Sequence, residues 1–583
     1  MPIEPGRQEH PETSWRAFLW SCVTSFVRER EEQVFLVLSL LIGALAGLSV
    51  VAFIVLTERL GMRIYPVGSP AWRRVMMPVA GSLAMGYLLY RYFPDARGSG
   101  VPQTKAALYA RDGNISLRTV LGKFGCTAAT LASGIPLGRE GPSVQVGAGI
   151  ASVLGRRLGL PPERVKALIP VGAAAAIAAA FNTPMAAVVF ALEEVVGDLH
   201  APVLGSVVLA SATSWAVLRL LLGNNPLFRV PSYELVHPME FGIYAVLGIT
   251  GGFLSVAFTK LLLGMRQRFL QLPRNTRWLQ PVAGGVMVGL MGWFVPQVLG
   301  VGYSYVGLAL DGTMAFKLMV LLIVLKLFAI TTCYASGNAG GIFGPALFLG
   351  AMLGGAIGTV AHHFLPAYTA APGAYALVGM GALFAGIVRA PMTSVLMIFE
   401  MTRDYAVIVP LMIANLASLF ISTRFQKEPI YEALARQDGI HLPSPKTREE
   451  FGRHTVRQVM RDAPQLLPAK MSVHDAAERM QSSEFRTWLV EDAGEIVGVL
   501  SEGTVESALA GGRAGENLMR LCESLEFPHV HPDHPLTLAL ERMSKAHLDI
   551  LPVVNRANIR KLEGIVTLHD VLGSYGVDSV EPS

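Results

Sequence analysis

Glu140 lies in the run Gly138, Arg139, Glu140, Gly141, Pro142, inside a stretch apolar enough to sit in lipid. A carboxylate at membrane depth is costly, so such groups face a cavity or pathway and act on what moves through it. Glu193 and Glu194 stand side by side in a second apolar segment, and Glu400 lies in a third. Adjacent helical residues point about 100° apart, so Glu193 and Glu194 serve different tasks. Glu193 and Glu400 close the matched segments PMAAVVFALE (Pro184–Glu193) and PMTSVLMIFE (Pro391–Glu400), which suggests a shared structural task such as binding backbone amides at a helix end. Glu194 has no such counterpart; its matched position is Met401.

Three Gly-rich runs fall where apolar segments break: Gly98, Ser99, Gly100, Val101, Pro102; then Gly138 to Pro142; then Gly340 to Pro345. Each is suited to open a helix. Glycine lets the backbone approach an ion closely, and a proline in the first turn gives up an N–H that has no partner there. A helix N-terminus carries about half a positive charge together with free amide donors. Several converging ends make an anion site without a full positive charge that would trap the ion. A lone Gly-Pro loop is ordinarily a turn; three in duplicated membrane segments point to a ligand.

The elements that must position these residues follow from composition. The chain has 583 residues, 52% apolar and 16% charged, with mean hydropathy +0.45. That is too greasy for a soluble protein of this size, so most of it belongs in lipid. Apolar runs of spanning length recur from about residue 34 to 425, and the charge density of a soluble domain returns from about 445. The first span, about 34 to 57, shows no small-residue cleavage site and is expected to be retained. Trp15 to Val27 has the spacing of a short interfacial helix, with a disordered arm as the competing reading.

Segments 120–137, 142–156, 165–181, 184–197, 341–364, 374–389 and 391–402 are too short or too broken for simple spans. Irregular backbone at membrane depth is tolerated only where protein buries it or it lines a wet cavity, so the breaks mark a pathway. The match of Pro184–Glu193 to Pro391–Glu400 is joined by that of Gly141 and Pro142 to Gly344 and Pro345, at nearly the same separation. Duplicated halves of this kind place a site at their interface. Arg424, Lys427, Arg436, Lys446 and Arg448 crowd after the last apolar segment, an end the positive-inside rule makes cytoplasmic. The net charge of +5 is modest. Cys22, Cys126, Cys333 and Cys522 are scattered and read as packing residues, not as a disulfide framework or metal cluster.

By its motifs the chain resembles the CLC family of chloride channels and transporters, whose patterns GSGxP, GREGP and GxFxP occur here in order as GSGVP at 98, GREGP at 138 and GIFGP at 341. The resemblance covers about 34 to 440 and includes EPIYEAL at 428. It implies an all-α polytopic membrane protein of inverted-repeat broken helices. It also implies a homodimer with one pathway per subunit, in a bacterial inner membrane with both termini cytoplasmic. Ser99 and Tyr431 would offer hydroxyls to a dehydrated chloride, and the amides of Ile342 and Phe343 would complete its shell. The segment of Arg139, Glu140 and Gly141 would supply an outer site. Glu140 would be the gate, its carboxylate taking that anion site when ionised and swinging out when protonated. Two negative charges about 4 Å apart repel by roughly 4 kcal/mol at an effective dielectric of 20, enough to couple proton uptake to anion occupancy.

Glu194 falls where proton-coupled exchangers of the family carry an acid, and would relay protons between the cytoplasm and Glu140. A passive, Glu140-gated chloride channel is the alternative. Ser99, where other members carry Pro, goes with chloride over nitrate. Lys123 either raises the positive potential of the pathway or snorkels to the interface.

On this reading residues 1–33 form an N-terminal segment, 34–440 the transport domain and 441–454 a linker. Beyond it the pattern changes to strands and amphipathic helices and repeats: AERM (Ala477–Met480) recurs as LERM (Leu540–Met543), each ahead of a β-like run. This resembles a tandem pair of α/β CBS domains over 455–510 and 521–577. Such pairs often bind adenine nucleotides, with a Ser or Thr near phosphate and an Asp on the ribose. Thr567 and Asp570 fit in the second repeat; in the first, Ser501 is followed by Thr504 where the Asp would stand. A structural, dimer-supporting tail is the competing reading. No other cofactor, no metal and no nucleic acid is expected. A CBS-regulated divalent cation transporter would need a midplane cluster of acidic ligands, and only Glu140, Glu193, Glu194 and Glu400 lie deep in apolar sequence. An enzyme is disfavoured, since no nucleophile and base pair stands out and the adjacent His362 and His363 lack metal-ligand spacing.

Overall fold

The computed structural model describes residues 31–66, 68–199, 201–223, 228, 235–440, 442, 454–462, 466–481, 487–522, 527–546 and 548–574. The expected interfacial helix at Trp15–Val27 lies outside the described residues, as do Cys22, Lys446, Arg448 and most of the linker. The chain divides into two units, Met1–Leu442 and Pro443–Ser583.

The described part of the first unit is helical: α1 (Glu31–Ile64), α2 (Trp72–Arg91), α3 (Val101–Ala110), α4 (Leu117–Ala132), α5 (Glu140–Arg157), α6 (Pro162–Phe181), α7 (Pro184–Phe190), α8 (Leu204–Leu222), α9 (Glu240–Gln271), α10 (Pro281–Phe294), α11 (Tyr303–Leu310), α12 (Phe316–Ser336), α13 (Phe343–Phe364), α14 (Pro372–Val388), α15 (Pro391–Thr402), α16 (Ile408–Phe425) and α17 (Ile430–Gln437). Among the described residues, seven helical stretches are long and apolar enough to cross a membrane, and two of them, Pro162–Phe181 and Phe343–Phe364, correct the expectation that 165–181 and 341–364 are too short or too broken to span. The first outruns its apolar stretch because no proline interrupts it before Pro66, so its last turns carry Glu58, Arg59 and Arg63.

The order of long and short helices in α1–α8 recurs in α9–α16. The two halves run in opposite directions where they meet. Glu193, just past the end of α7, accepts from the amides of Met392 and Thr393 at the start of α15, at 3.2 and 2.8 Å. Glu400, near the end of α15, accepts from those of Met185 and Ala186 at the start of α7, at 3.0 and 2.7 Å. Contacts from tail to head in both directions require antiparallel helices, the geometry of an inverted repeat.

The same local code builds both halves. Helix α6 ends on Asn182 and α14 on Arg389, both left-handed with φ 60° and 66°. Each is followed by an extended residue and a proline that starts the next helix. Within each half, small residues bring backbones into contact. A β-carbon on Gly147 of α5 would strike the Gly172 carbonyl of α6, and one on Gly350 of α13 the Gly379 carbonyl of α14. Helix α6, almost wholly alanine from Ala173 to Ala180, is buried on all sides there. Cys126 and Cys333 are buried packing residues.

In the second unit, β1 (Leu467–Pro468) pairs parallel with β2 (Thr487–Asp492), which pairs antiparallel with β3 (Glu495–Ser501). Strands β4 (Ile550–Val554) and β5 (Leu562–Thr567) form a second antiparallel pair. Helices α18 (Val473–Gln481), α19 (Glu502–Ala510), α20 (Leu536–Ala546) and α21 (Leu568–Ser574) complete it. Leu489, Ile496, Ile550, Val554 and Ile565 share one apolar cluster, which joins the two repeats.

Candidate functional site

Three helix N-termini meet in the first unit. Those of α5 and α13 are tied by Gly138 and Gly341, which exchange two backbone hydrogen bonds of 2.7 Å as an isolated antiparallel bridge. The start of α3 comes from the side: Gly100, at φ 104°, lies so close to Gly141 that neither has room for a β-carbon. Only glycine meets both demands at position 100.

Glu140, the first residue of α5, is fully buried. Its Oε2 accepts from the amide of Gly344 in the first turn of α13 at 3.3 Å, and its Oε1 accepts from the hydroxyl of Tyr303. The carboxylate that looks unpaired in the sequence is held by the positive end of the opposite repeat's helix and by a phenol. Arg139 caps α5, and its guanidinium lies 5.6 Å from the centre of the Tyr303 ring.

Ser99 and Tyr431 are buried, and neither hydroxyl oxygen meets a hydrogen-bond partner. Helix α17, which carries Tyr431, packs against α3, and Tyr334 of α12 stands beside Ser99. A buried, unsatisfied hydroxyl costs about 1–3 kcal/mol; a dehydrated anion among them would remove that cost. Ile342 and Phe343 open α13, where the first amides have no intrahelical partner. The Phe343 ring packs on those of Phe181, Phe190 and Phe384, with centroids 4.8, 5.6 and 4.4 Å away, an apolar wall that excludes water.

Glu194 sits in a π-helical turn, Ala191–Val196, that continues α7. One-turn π insertions are frequent at functional sites. Here the turn sends Glu193 to the start of α15 and Glu194 inward, where its Oε1 lies 2.8 Å from the ammonium of Lys105. Glu432 stands 3.9 Å from the same ammonium, and all three side chains are largely buried.

Lys123 is fully buried, which rules out snorkelling to the interface. Its ammonium donates to the carbonyls of Ala96 and Gly98, at 3.0 and 2.5 Å, and so fixes the loop that presents Ser99. Lys326 of α12 repeats this arrangement, donating to the carbonyls of Gly300 and Val301 at 2.5 and 3.2 Å ahead of Tyr303.

Tyr303, Lys105, Glu432 and Lys326 escape a reading of the sequence alone. Lys326 was the most accessible of them, because it follows Lys123 at the same separation that relates Pro345 to Pro142. Lys105 is a lone cation in the short helix after Ser99, and Glu432 adjoins Tyr431. No local signal marks Tyr303, which matches Gly100 in the repeat register.

In the tail, Ser501 caps α19, accepting from the Thr504 amide. Thr567 donates to Asp570 Oδ2 at 2.7 Å, and Asp570 Oδ1 accepts from Arg461. The hydroxyl and carboxylate of the second repeat thus meet a guanidinium from the start of the first, while Ser501 pairs with the hydroxyl and amide of Thr504.

A buried carboxylate at opposed helix N-termini, inside two inverted repeats of broken helices, defines an integral membrane protein built to carry ions. The chain belongs to the voltage gated chloride channel family, the CLC proteins: the family model matches residues 81–423. The CBS domain model matches 456–511 and 522–576. The chain is 32% identical over 413 residues to the H(+)/Cl(-) exchange transporter ClcA of Vibrio cholerae serotype O1, covering 68% of this chain and 88% of that one. A ClcB-like protein of Ralstonia nicotianae, named for a chloride channel, is 36% identical over 384 residues, 64% of this chain and 89% of the relative. A solved structure of a slow cyanobacterial Cl-/H+ antiporter matches with a TM-score of 0.62 at 26% identity, over 69% of this chain and 97% of that one.

Proposed function

We propose that this chain exchanges chloride for protons, with Glu140 as the gate. The observation that carries the reading is the fully buried Glu140 carboxylate lying across the N-termini of α5 and α13, near the two unsatisfied hydroxyls of Ser99 and Tyr431. Chloride sits between those hydroxyls and the amides of Ile342 and Phe343. The amides around Arg139 and Gly141 receive either a second chloride or the ionised Glu140 side chain. Protonation removes the charge that holds the carboxylate on the helix ends, and the side chain leaves its seat to an anion. Lys123 contributes by holding the Ser99 loop, a role beyond general positive potential.

Glu194 is the acid that passes protons between the cytoplasm and Glu140. A buried, titratable acid at this position, held by Lys105, is what a proton relay requires and a passive channel does not need, which supports exchange. Glu193 and Glu400 are both spent on helix ends and leave too few acidic groups for a divalent cation site. Each subunit of a homodimer would contain one pathway, in a bacterial inner membrane with both termini cytoplasmic. In the tail, the Arg461, Thr567 and Asp570 cluster is the half-site suited to an adenine nucleotide, Arg461 exchanging carboxylate for phosphate. Titration of the full chain with ATP and AMP by calorimetry tests this, and absence of heat leaves the tail a structural role.

The transport reading is tested with purified protein in liposomes. A chloride gradient should drive uphill proton movement, and Glu140→Ala should let chloride pass without protons.

A further inference from the structure

Tyr303 stands between Glu140 and a cavity of about 370 Å³ lined by Tyr65, Arg139, Gly300 and Tyr303 itself, which Glu140 does not line. Its hydroxyl donates to the carboxylate, and its ring is held on two sides, by the Arg139 guanidinium at 5.6 Å and edge-on by Phe228 at 5.6 Å. The backbone that presents it is held as well. Gly302, at φ 87°, opens α11, and the buried ammonium of Lys326 binds the carbonyls of Gly300 and Val301.

This is the arrangement that holds Ser99 in the other repeat, where buried Lys123 binds the carbonyls of Ala96 and Gly98. The inverted repeat therefore sets a hydroxyl residue on a lysine-braced loop in each half. One hydroxyl is unsatisfied, and the other is occupied by the carboxylate.

We propose that Tyr303 is a positioning residue for the exchange reaction: its hydroxyl latches the ionised Glu140 side chain in its seat, so that it sets the pH at which exchange turns on. The proposal rests on the reading of Glu140 as the gate. A hydrogen bond donated to a carboxylate favours the ionised form. Breaking the latch therefore makes protonation easier, and the gate opens at higher pH. The other titratable groups turned toward Glu140 are Arg139 beside it and Tyr431 of α17, with Glu194 and Tyr334 around Tyr431. None of them is altered by removing one hydroxyl at 303.

The test is chloride efflux from liposomes, measured against pH for wild type, Tyr303→Phe, Phe228→Leu and Glu140→Gln. Tyr303→Phe keeps the ring and its contact with Arg139 and loses only the donor. A hydrogen bond to a charged group is strong enough to move the half-maximal pH upward by about one unit, and proton coupling should persist. A Tyr303→Phe profile superimposable on wild type, beside a pH-independent Glu140→Gln, overturns the latch and leaves the gate standing. Phe228→Leu, which loosens the ring that carries the hydroxyl, should shift the profile in the same direction by a smaller amount, and a downward shift in either variant also overturns the latch. If Glu140→Gln keeps the wild-type pH dependence, the gate reading itself has failed, and the latch fails with it.

Discussion

Glu193 and Glu400 cap each other's repeat: each carboxylate takes two backbone amides at the start of the helix that carries the other. In lipid those amides have no water to turn to, so the reciprocal caps bind the two halves where α7 and α15 lie side by side. The sequence singles out the pair because the two acids fall at the same place in a duplicated segment.

Removing either cap should destabilise the membrane unit without touching the ion path. Glu193→Ala or Glu400→Ala leaves two helix amides without their acceptor, and the part-buried one of each pair, Thr393 or Ala186, should cost about 1–3 kcal/mol. A lowered melting temperature, read by size-exclusion of heated detergent-solubilised protein, is the expected outcome, with chloride selectivity unchanged in whatever protein survives.

The helix starts of this candidate site are legible in the sequence. The three Gly-rich runs carry their own physical reason, because a glycine at a crowded helix start and a proline in its first turn leave a local record. Glu140 and Ile342 are therefore expected at helix starts, and Ser99 just ahead of one, as the structure has them. Partners contributed by distant elements leave no such record. Nothing near Tyr303 says that its hydroxyl meets Glu140, and nothing near Lys105 says that it neutralises Glu194. Lys123 illustrates the same limit: its charge left pathway potential and interface snorkelling both open, and its two carbonyl partners in a remote loop make full burial tolerable.

The buried pair of Lys105 and Glu194 should be indispensable for protons and dispensable for chloride. Glu194→Gln removes the titratable group, and Lys105→Met leaves a buried carboxylate without its cation, a change of about 3–5 kcal/mol for pairs of this kind. Both variants should carry chloride while proton flux falls at least tenfold. Wild-type proton flux in Glu194→Gln would sink the relay.

Ser99→Pro should shift anion preference. The substitution removes the unsatisfied hydroxyl beside the proposed chloride seat, and the family pattern, in which Pro at this position goes with nitrate, gives the direction. Exchange rates measured with chloride and with nitrate should reverse in order; an unchanged ratio would detach Ser99 from selectivity.

The tail should lose stability toward acid. His534 titrates below the ordinary histidine range because it is partly buried and lies near His531 and Arg542. Its Nδ1 accepts from the His531 amide at 3.2 Å, a bond that protonation breaks. The unfolded chain then binds more protons than the folded one as pH falls below about 6.5, so the contribution is complete above that pH and declines beneath it. Hydrogen exchange across residues 530–546 of the intact protein, corrected for intrinsic rates, should show protection falling from pH 7.5 to 5.5. His534→Gln should flatten the change.

In the proposed exchange, one buried carboxylate competes with chloride for the meeting point of opposed helix ends. Simultaneous recording of chloride and proton flux from the purified protein in liposomes tests it most directly. Wild type should pump protons uphill when a chloride gradient is imposed, and Glu140→Ala should pass chloride with no proton movement. Chloride flux without protons in wild type, or coupled flux that survives in Glu140→Ala, would contradict it.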